Sequence, residues 1–158
     1  MKSKFYSYVI SVLFFLSAAT AMAQDEESLM TYDLATSAMD AAEAYAREQG
    51  WNVTILITDQ NNNPVMLRRI DGAGGRTFNF ATAKALVVNA TGLTSGEYGR
   101  RVEAGDVEEV EGGVTFAGGV PVYRSGQRIG AISTSGVRAA QDEEVSIAGA
   151  EVIGSISN

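Results

Sequence analysis

The stretch Trp51–Ile70, "WNVTILITDQNNNPVMLRRI", contains two short apolar segments separated by a polar turn. Every second side chain from Trp51 to Ile57 is large and apolar, and this two-residue period is typical of a β-strand. The turn is "QNNN" at residues 60–63, and the run from Pro64 to Ile70 continues as a second strand. The segment therefore predicts a β-hairpin with a loose loop.

Segments of helical character flank this hairpin. In "TYDLATSAMDAAEAYAREQG", Thr31 is placed to cap a helix and Gly50 to end it. The apolar side chains of this segment recur with helical spacing on one face, namely Leu34, Ala38, Ala41, Ala42 and Tyr45. After the hairpin, helical composition returns from Thr77 to about Ala90.

The second half of the chain repeats the order of elements. Residues 92–113 are polar and rich in glycine, which predicts mostly loop with room for one short helix. A second hairpin follows in "GVPVYRSGQRIGAISTSG", turning at Ser125 and Gly126, and residues 139–156 are helical with acidic residues at their start. The predicted order is α-β-β-α-β-β-α. Because adjacent hairpins pair antiparallel, we expect an α+β domain with one antiparallel sheet flanked by helices.

The first 23 residues, "MKSKFYSYVISVLFFLSAATAMA", have the features of a secretory signal peptide. Basic residues precede an apolar run from Val9 to Leu16, and the segment ends in small residues at Ala21 and Ala23. The alternative is a membrane anchor, but this run is short of the roughly 20 residues that span a bilayer. We predict cleavage after Ala23, export to the periplasm or the medium, no stable membrane insertion afterwards, and a single domain over residues 24–158.

Composition excludes several classes of function. The chain has 12 basic and 19 acidic residues, a formal net charge of −7, which argues against binding to nucleic acids or anionic membranes. It contains neither cysteine nor histidine. Thiol chemistry, zinc-thiolate sites and Ser-His-Asp hydrolysis are therefore excluded.

The loop "DGAGGRT" at residues 71–77 is a candidate anion site. It lacks both the third glycine of a dinucleotide-binding loop and the Gly-Lys-Ser/Thr ending of a P-loop. The free amides at a helix start at Thr77 would nevertheless attract an anion, with Arg69 and Arg76 nearby. The alternative is a glycine turn that only redirects the chain.

Lys84 is the only lysine after the predicted signal peptide. Helical spacing places it on a largely apolar face with Thr77, Phe80 and Val88. One interpretation is a charge at the edge of a pocket, able to pair with a ligand carboxylate or to act as a base. The other is a snorkelling side chain or a structural ion pair.

Two further features have both a functional and a structural interpretation. Glu108 and Glu111, within an acidic run, offer hard oxygen ligands for calcium or iron, although such runs are usually solvated loops. Gly118 and Gly119 would let the backbone approach a ligand or a neighbouring segment closely, and the alternative is a bulge at the start of a strand.

Together, residues 53–85 and 116–153 resemble the GlcG/HbpS family, which includes the C-terminal domain of PduO proteins. The motifs that carry the resemblance are the Asp59 turn, Arg69-x-Asp71-Gly72-Ala73, Ala81-x-x-Lys84-Ala85, Gly118-Gly119-x-Pro121, Gly130-Ala131 through Ser135-Gly136, and Gln141-Asp142-Glu143.

The resemblance implies a profilin-like antiparallel sheet, assembly into homo-oligomers, and binding of haem or, as a second choice, a corrinoid. It implies an exported binding protein for haem capture or sensing rather than an enzyme. The ligand site carried over from the family is formed by Asp71, Gly72, Arg76, Thr77, Phe80 and Lys84, with Gly118 and Gly119 opposite and Arg69 as a further cation for the haem propionates. Since the chain has no histidine, iron would be ligated by tyrosine, methionine, threonine, lysine or solvent, and held weakly.

Two alternatives of other classes stay open. Some members of this family resemble lyases acting on hydroxylamino-aromatic acids, and Arg69 and Lys84 with an acidic partner, Asp71 or Glu143, would suit such proton transfer. The third alternative is a structural oligomer that binds no ligand.

Overall fold

The computed structural model of the protein describes residues 28–157. Within this range the elements follow the order α1 (Tyr32–Glu48), β1 (Thr54–Asp59), β2 (Pro64–Arg69), α2 (Thr77–Thr91), α3 (Ser95–Ala104), β3 (Gly119–Arg124), β4 (Gln127–Ser135) and α4 (Ala139–Ala150). No helix within residues 28–157 combines the length and apolar character needed to cross a bilayer.

The strands form one antiparallel sheet in the order β2-β1-β4-β3. Each predicted hairpin forms, and the two hairpins join where β1 pairs antiparallel with β4, for example Thr54 with Ser135. The second hairpin turns at Ser125 and Gly126, whose φ angles of 52° and 77° suit the left-handed conformation of a tight hairpin turn. The predicted α+β class with a single antiparallel sheet is confirmed.

Helices cover both faces of this sheet. Helices α1 and α4 pack together on one face, and α2 packs on the other. The alternation along β4 shows the two faces directly, because the Ser133 hydroxyl donates to the Ala81 carbonyl of α2 while the Thr134 side chain meets Ser146 of α4. All six residues of β1 are buried, as expected for a central strand covered on both sides.

The main correction concerns residues 92–113, which the sequence predicted to be mostly loop. Ten of these residues form α3. The Thr94 side chain accepts a hydrogen bond from the Glu97 amide, Gly105 ends the helix in the left-handed conformation, and Tyr98 is buried. These caps and one buried aromatic ring stabilise a helix that contains Gly96 and Gly99, residues that favour loop in a sequence, so the order becomes α-β-β-α-α-β-β-α.

Helices α1 and α2 agree closely with their predictions, whereas α4 starts at the predicted Ala139 but ends at Ala150, six residues before the predicted end at residue 156. Thr31 caps α1 through its side chain, as predicted, and α1 ends two residues before Gly50. Helix α2 starts at the predicted Thr77 and ends at Thr91, one residue beyond the predicted end. Its start places the N-terminus of α2 beside the end of β4, where a cleft opens.

Candidate functional site

A cleft of about 280 Å³ lies where the N-termini of α2 and α4 meet the end of β4. The residues that line it come from α2, from the segment before β3, and from the connection between β4 and α4. They are Thr77, Phe80, Phe116, Ser135, Gly136, Val137, Ala139 and Asp142.

The connection from β4 to α4 is held by close backbone packing and by one carboxylate. A Cβ atom at Gly136 would lie 2.5 Å from the Asn52 carbonyl oxygen, so only glycine fits against the segment that precedes β1. The Asp142 carboxylate accepts a hydrogen bond from the Val137 amide at 3.1 Å. These contacts fix the turn that forms one wall of the cleft.

Two aromatic rings form the apolar part of the cleft. Phe80 and Phe116 meet edge to face, with ring centroids 5.6 Å apart. The Arg76 guanidinium lies 5.3 Å from the centroid of the Phe80 ring. Phe116 is 38% exposed, so the cleft presents an accessible apolar surface with a cation beside it.

A buried ion pair lies beneath this surface. The Lys84 side chain is completely buried, and its Nζ donates to the Asp142 Oδ2 at 2.8 Å and to the Thr134 carbonyl oxygen at 2.7 Å. The same Nζ is 5.1 Å from the centroid of the Phe116 ring. Of the two possibilities for Lys84, the structure shows the ion pair.

Burial shifts the pKa of both members of the pair, and their mutual attraction opposes each shift. Burial lowers the pKa of Lys84, whereas the Asp142 carboxylate raises it. Burial likewise raises the pKa of Asp142, against Lys84 and the backbone amides of Val137 and Gly136, which lower it. With hydrogen-bond donors on the carboxylate and acceptors on the ammonium, we assign the ionised form to the pair at neutral pH.

The predicted site residues do not all lie at this cleft. Thr77 and Phe80 line it, and Arg76 lies beside Phe80. Lys84 is underneath, where its charge is already paired, so it is not available to a ligand carboxylate.

The two predicted glycines, Gly118 and Gly119, lie behind the cleft against Lys84. Gly118, with a φ of 126°, packs against Lys84 and Asp142, and a side chain there would overlap Nζ of the lysine. The Gly119 amide donates to the Ser95 hydroxyl at 2.9 Å. Both allow the start of β3 to approach α2 closely.

The remaining predicted residues, Arg69, Asp71 and Gly72, surround a separate depression of about 320 Å³ together with Ile70. The Arg69 guanidinium is engaged within this loop, donating to the Ala73 carbonyl oxygen at 2.6 and 3.1 Å. The structure therefore divides the predicted site into two parts.

The acidic partner of Lys84 is Asp142 rather than the predicted Asp71 or Glu143. In the sequence, Asp142 stood out only among the acidic residues at a helix start and in the motif Gln141-Asp142-Glu143. Its signal in the sequence was the lone lysine on an apolar helix face, which requires a carboxylate when buried. Sequence reasoning did not assign the other lining residues to the site, namely Phe116, Ser135, Gly136, Val137 and Ala139.

The metal site at Glu108 and Glu111 stays a prediction. Both residues are exposed in the segment between α3 and β3. Within residues 28–157, no three acidic side chains converge as they would around a metal ion. The geometry gives this prediction no support.

Comparisons with known proteins agree with the fold. The family model described as "Haem degrading protein HbpS-like" matches residues 30–151. A double mutant of HbpS from Streptomyces reticuli is 27% identical, with a TM-score of 0.74 over 96% of this chain and 99% of that one. A second HbpS structure is 29% identical, with a TM-score of 0.75 over 87% of this chain and 99% of the other.

A crystal structure of PduOC in complex with haem shares the fold alone. It is 21% identical, with a TM-score of 0.75 over 81% of this chain and 98% of that chain. No curated protein matches the sequence.

Proposed function

Because this chain belongs to the HbpS-like family, we propose that it binds haem or a related tetrapyrrole at the cleft between α2 and α4. The observation that carries this proposal is the accessible pair of aromatic rings, Phe80 and Phe116, with the Arg76 guanidinium beside them. A corrinoid is the second choice of ligand.

The cleft suits the organic part of the ligand. The face of a macrocycle would bury apolar surface against Phe80 and Phe116, which contributes several kcal/mol at about 25 cal/mol per Å² before the costs of binding. Among the cations predicted to pair with propionates, Arg76 is the one placed beside the cleft, since Arg69 is bonded to its own loop and Lys84 to Asp142.

The donor set does not suit tight ligation of iron. The oxygen-bearing side chains that line the cleft are Thr77, Ser135 and Asp142, and the carboxylate of Asp142 is already paired with Lys84. Neither histidine nor cysteine occurs in the chain. We therefore propose that haem is held mainly through its ring and its propionates and exchanges readily, which favours capture or sensing over electron transfer.

The size of the cleft suggests that one chain contacts only part of the macrocycle. Its volume of about 280 Å³ is at the lower end of small-ligand pockets, roughly 300–1,000 Å³. We propose that a second copy of the chain contributes the remaining contacts, in line with the predicted homo-oligomer. Light scattering that shows a monomer across micromolar concentrations, with and without haem, would exclude this.

Removal of an aromatic wall is expected to weaken haem binding. Phe80→Ala should raise the dissociation constant about tenfold or more, because it removes apolar contact with the ring. Phe78→Ala is the matched control, since Phe78 is 48% exposed on the same helix and does not line the cleft. Titration followed at the Soret band measures both variants. No saturable Soret change in the wild type would reject haem, and equal effects of the two substitutions would place the site elsewhere.

A lyase acting on hydroxylamino-aromatic acids is the second candidate function. The observation in its favour is that Asp142 lines the cleft and that burial raises its pKa, as a proton-transferring group requires. Wild-type protein that leaves 4-hydroxylaminobenzoate unconsumed would exclude this activity for that substrate.

We also propose that the protein is exported, to the periplasm or the medium, after cleavage behind Ala23. The basic residues, the apolar run and the Ala-x-Ala ending support this. This segment lies outside the described residues. Intact-mass measurement of protein from the extracytoplasmic fraction should show a chain that begins at Gln24, and retention of Met1 in a membrane fraction would indicate an anchor instead.

A further inference from the structure

We propose that Ser135, together with the N-termini of α2 and α4, binds a carboxylate of the ligand. This deepens the proposed function, because in haem that carboxylate is a propionate. Ser135 would then help to orient the ligand, although it lies outside the loop at residues 71–77 and the helix face of Phe80 and Lys84 that the sequence indicated.

The first observation is a nearly buried serine whose hydroxyl opens into the cleft and has no partner within residues 28–157. Ser135 is only 6% exposed and lines the cleft, yet its hydroxyl makes no hydrogen bond with any other part of residues 28–157. The two preceding side chains of β4 are both bonded: Ser133 donates to the Ala81 carbonyl at 2.8 Å, and Thr134 meets the Ser146 hydroxyl at 2.9 Å. Because this hydroxyl opens into the cleft, it is free to bond a ligand acceptor that takes the place of water.

The second observation concerns how the two helices begin. Helices α1 and α3 are capped by the side chains of Thr31 and Thr94. The N-cap residues of α2 and α4 are instead Arg76 and Arg138. Arginine has no acceptor atom and cannot accept from the first-turn amides.

Neither helix start has an N-cap side chain that accepts from its first-turn amides, although the Thr77 amide donates to the Gly74 carbonyl oxygen at 3.2 Å and the Gln141 side chain accepts from the Arg138 amide at 3.3 Å. Both starts face the same space. The first residues of α2 and α4, Thr77 and Ala139, both line the cleft. A carboxylate between them would accept from backbone amides and lie at the positive ends of two helix dipoles. Arg76 and Arg138 add positive charge where other helices carry an acceptor.

The carboxylate of Asp142 also borders the cleft and would repel an anion if it were unpaired. Lys84 neutralises it at 2.8 Å, and the Val137 amide bonds its other oxygen. The buried pair is therefore close to neutral, and the two arginines and the helix ends add positive potential beside it, against the negative charge of Glu143, which also raises the pKa of Lys84.

The test compares ligands that differ only in their carboxylates. Wild-type protein, Ser135→Ala and Ser37→Ala are each titrated with haem and with haem dimethyl ester, and binding of benzoate is followed by amide chemical shifts. Ser37 is the control because it is an exposed serine on α1 that does not line the cleft. Thermal unfolding of each variant confirms that it is folded.

We expect wild type to bind haem about tenfold more tightly than the ester, and Ser135→Ala to lose most of this preference, as the loss of a hydrogen bond to a charged group implies. Ser37→Ala should behave as wild type. Equal affinity of wild type for acid and ester, or a preference unchanged in Ser135→Ala, would overturn the inference while leaving haem binding intact.

The titration with benzoate distinguishes failure of haem binding from failure of the carboxylate site at Ser135. If haem does not bind but benzoate shifts the amides around Ser135 and Ser135→Ala weakens this, the carboxylate site stands and the tetrapyrrole is wrong. If neither ligand binds, both proposals fail.

Discussion

Lys84→Met is expected to lower the free energy of unfolding by about 3–5 kcal/mol, because it leaves the Asp142 carboxylate buried without a countercharge. Thr134 would also lose the donor that its carbonyl oxygen receives from the lysine. Chemical denaturation of the wild type and the variant at neutral pH measures this difference.

The double variant Lys84→Met with Asp142→Asn should recover much of that loss, since it removes both charges and keeps an acceptor for the Val137 amide. A double variant whose loss equals the sum of the two single losses would show that the charges do not interact.

The dependence on pH provides a second check on the same single variant. Without Lys84, the largest attraction that opposes burial is gone, so the pKa of Asp142 in the folded state should rise further above its unfolded value. The folded state then binds more protons than the unfolded state, and the free energy of unfolding falls as pH rises. Relative to the wild type, Lys84→Met should therefore regain stability as the pH falls from neutral towards the unfolded-state pKa of Asp142. Equal changes with pH in the free energy of unfolding of the two proteins would contradict the assignment of Lys84 and Asp142 as an ionised pair.

Gly118→Ala is expected to destabilise the protein by roughly 3 kcal/mol, from an unfavourable backbone conformation and overpacking together. The φ of Gly118 is 126°, and an added Cβ would overlap Lys84 Nζ and lie 2.8 Å from both the Asp142 Cβ and the Thr134 carbonyl oxygen. Because two of these three contacts are with backbone or with an atom next to it, the clash cannot be relieved by rotation of one flexible side chain.

Gly105→Ala is the control for the backbone part of this effect. Gly105 also has a positive φ, 78°, but an added Cβ would meet nothing within 4 Å. This substitution should lower the free energy of unfolding by only about 1 kcal/mol. Equal losses of stability in the two variants would show that packing around the buried pair is not tight.

Local patterns in the sequence were enough to predict most of the fold. The turn at Ser125 and the cap at Thr31 each depend on neighbouring residues, and both are confirmed. The alternation in Trp51–Ile57 correctly indicated a strand, but β1 starts at Thr54 and is buried on both faces. Strand pairing within each hairpin follows from the short connections. Helix α3 was allowed for only as one short helix within a predicted loop, because its glycines favour loop although caps at both ends and the buried Tyr98 stabilise it.

The sequence by itself determined which residues of the candidate site stand out locally: Thr77 at a helix start, and Phe80 and Lys84 on one face of that helix. Only the tertiary structure decided what they meet. Lys84 pairs with Asp142, 58 residues away, and Phe80 meets Phe116. These contacts arise because β4 lies at the centre of the sheet and carries the start of α4 to the N-terminus of α2. Helix and strand periods report which face of an element is buried, but contacts between distant segments depend on how the strands are ordered in the sheet.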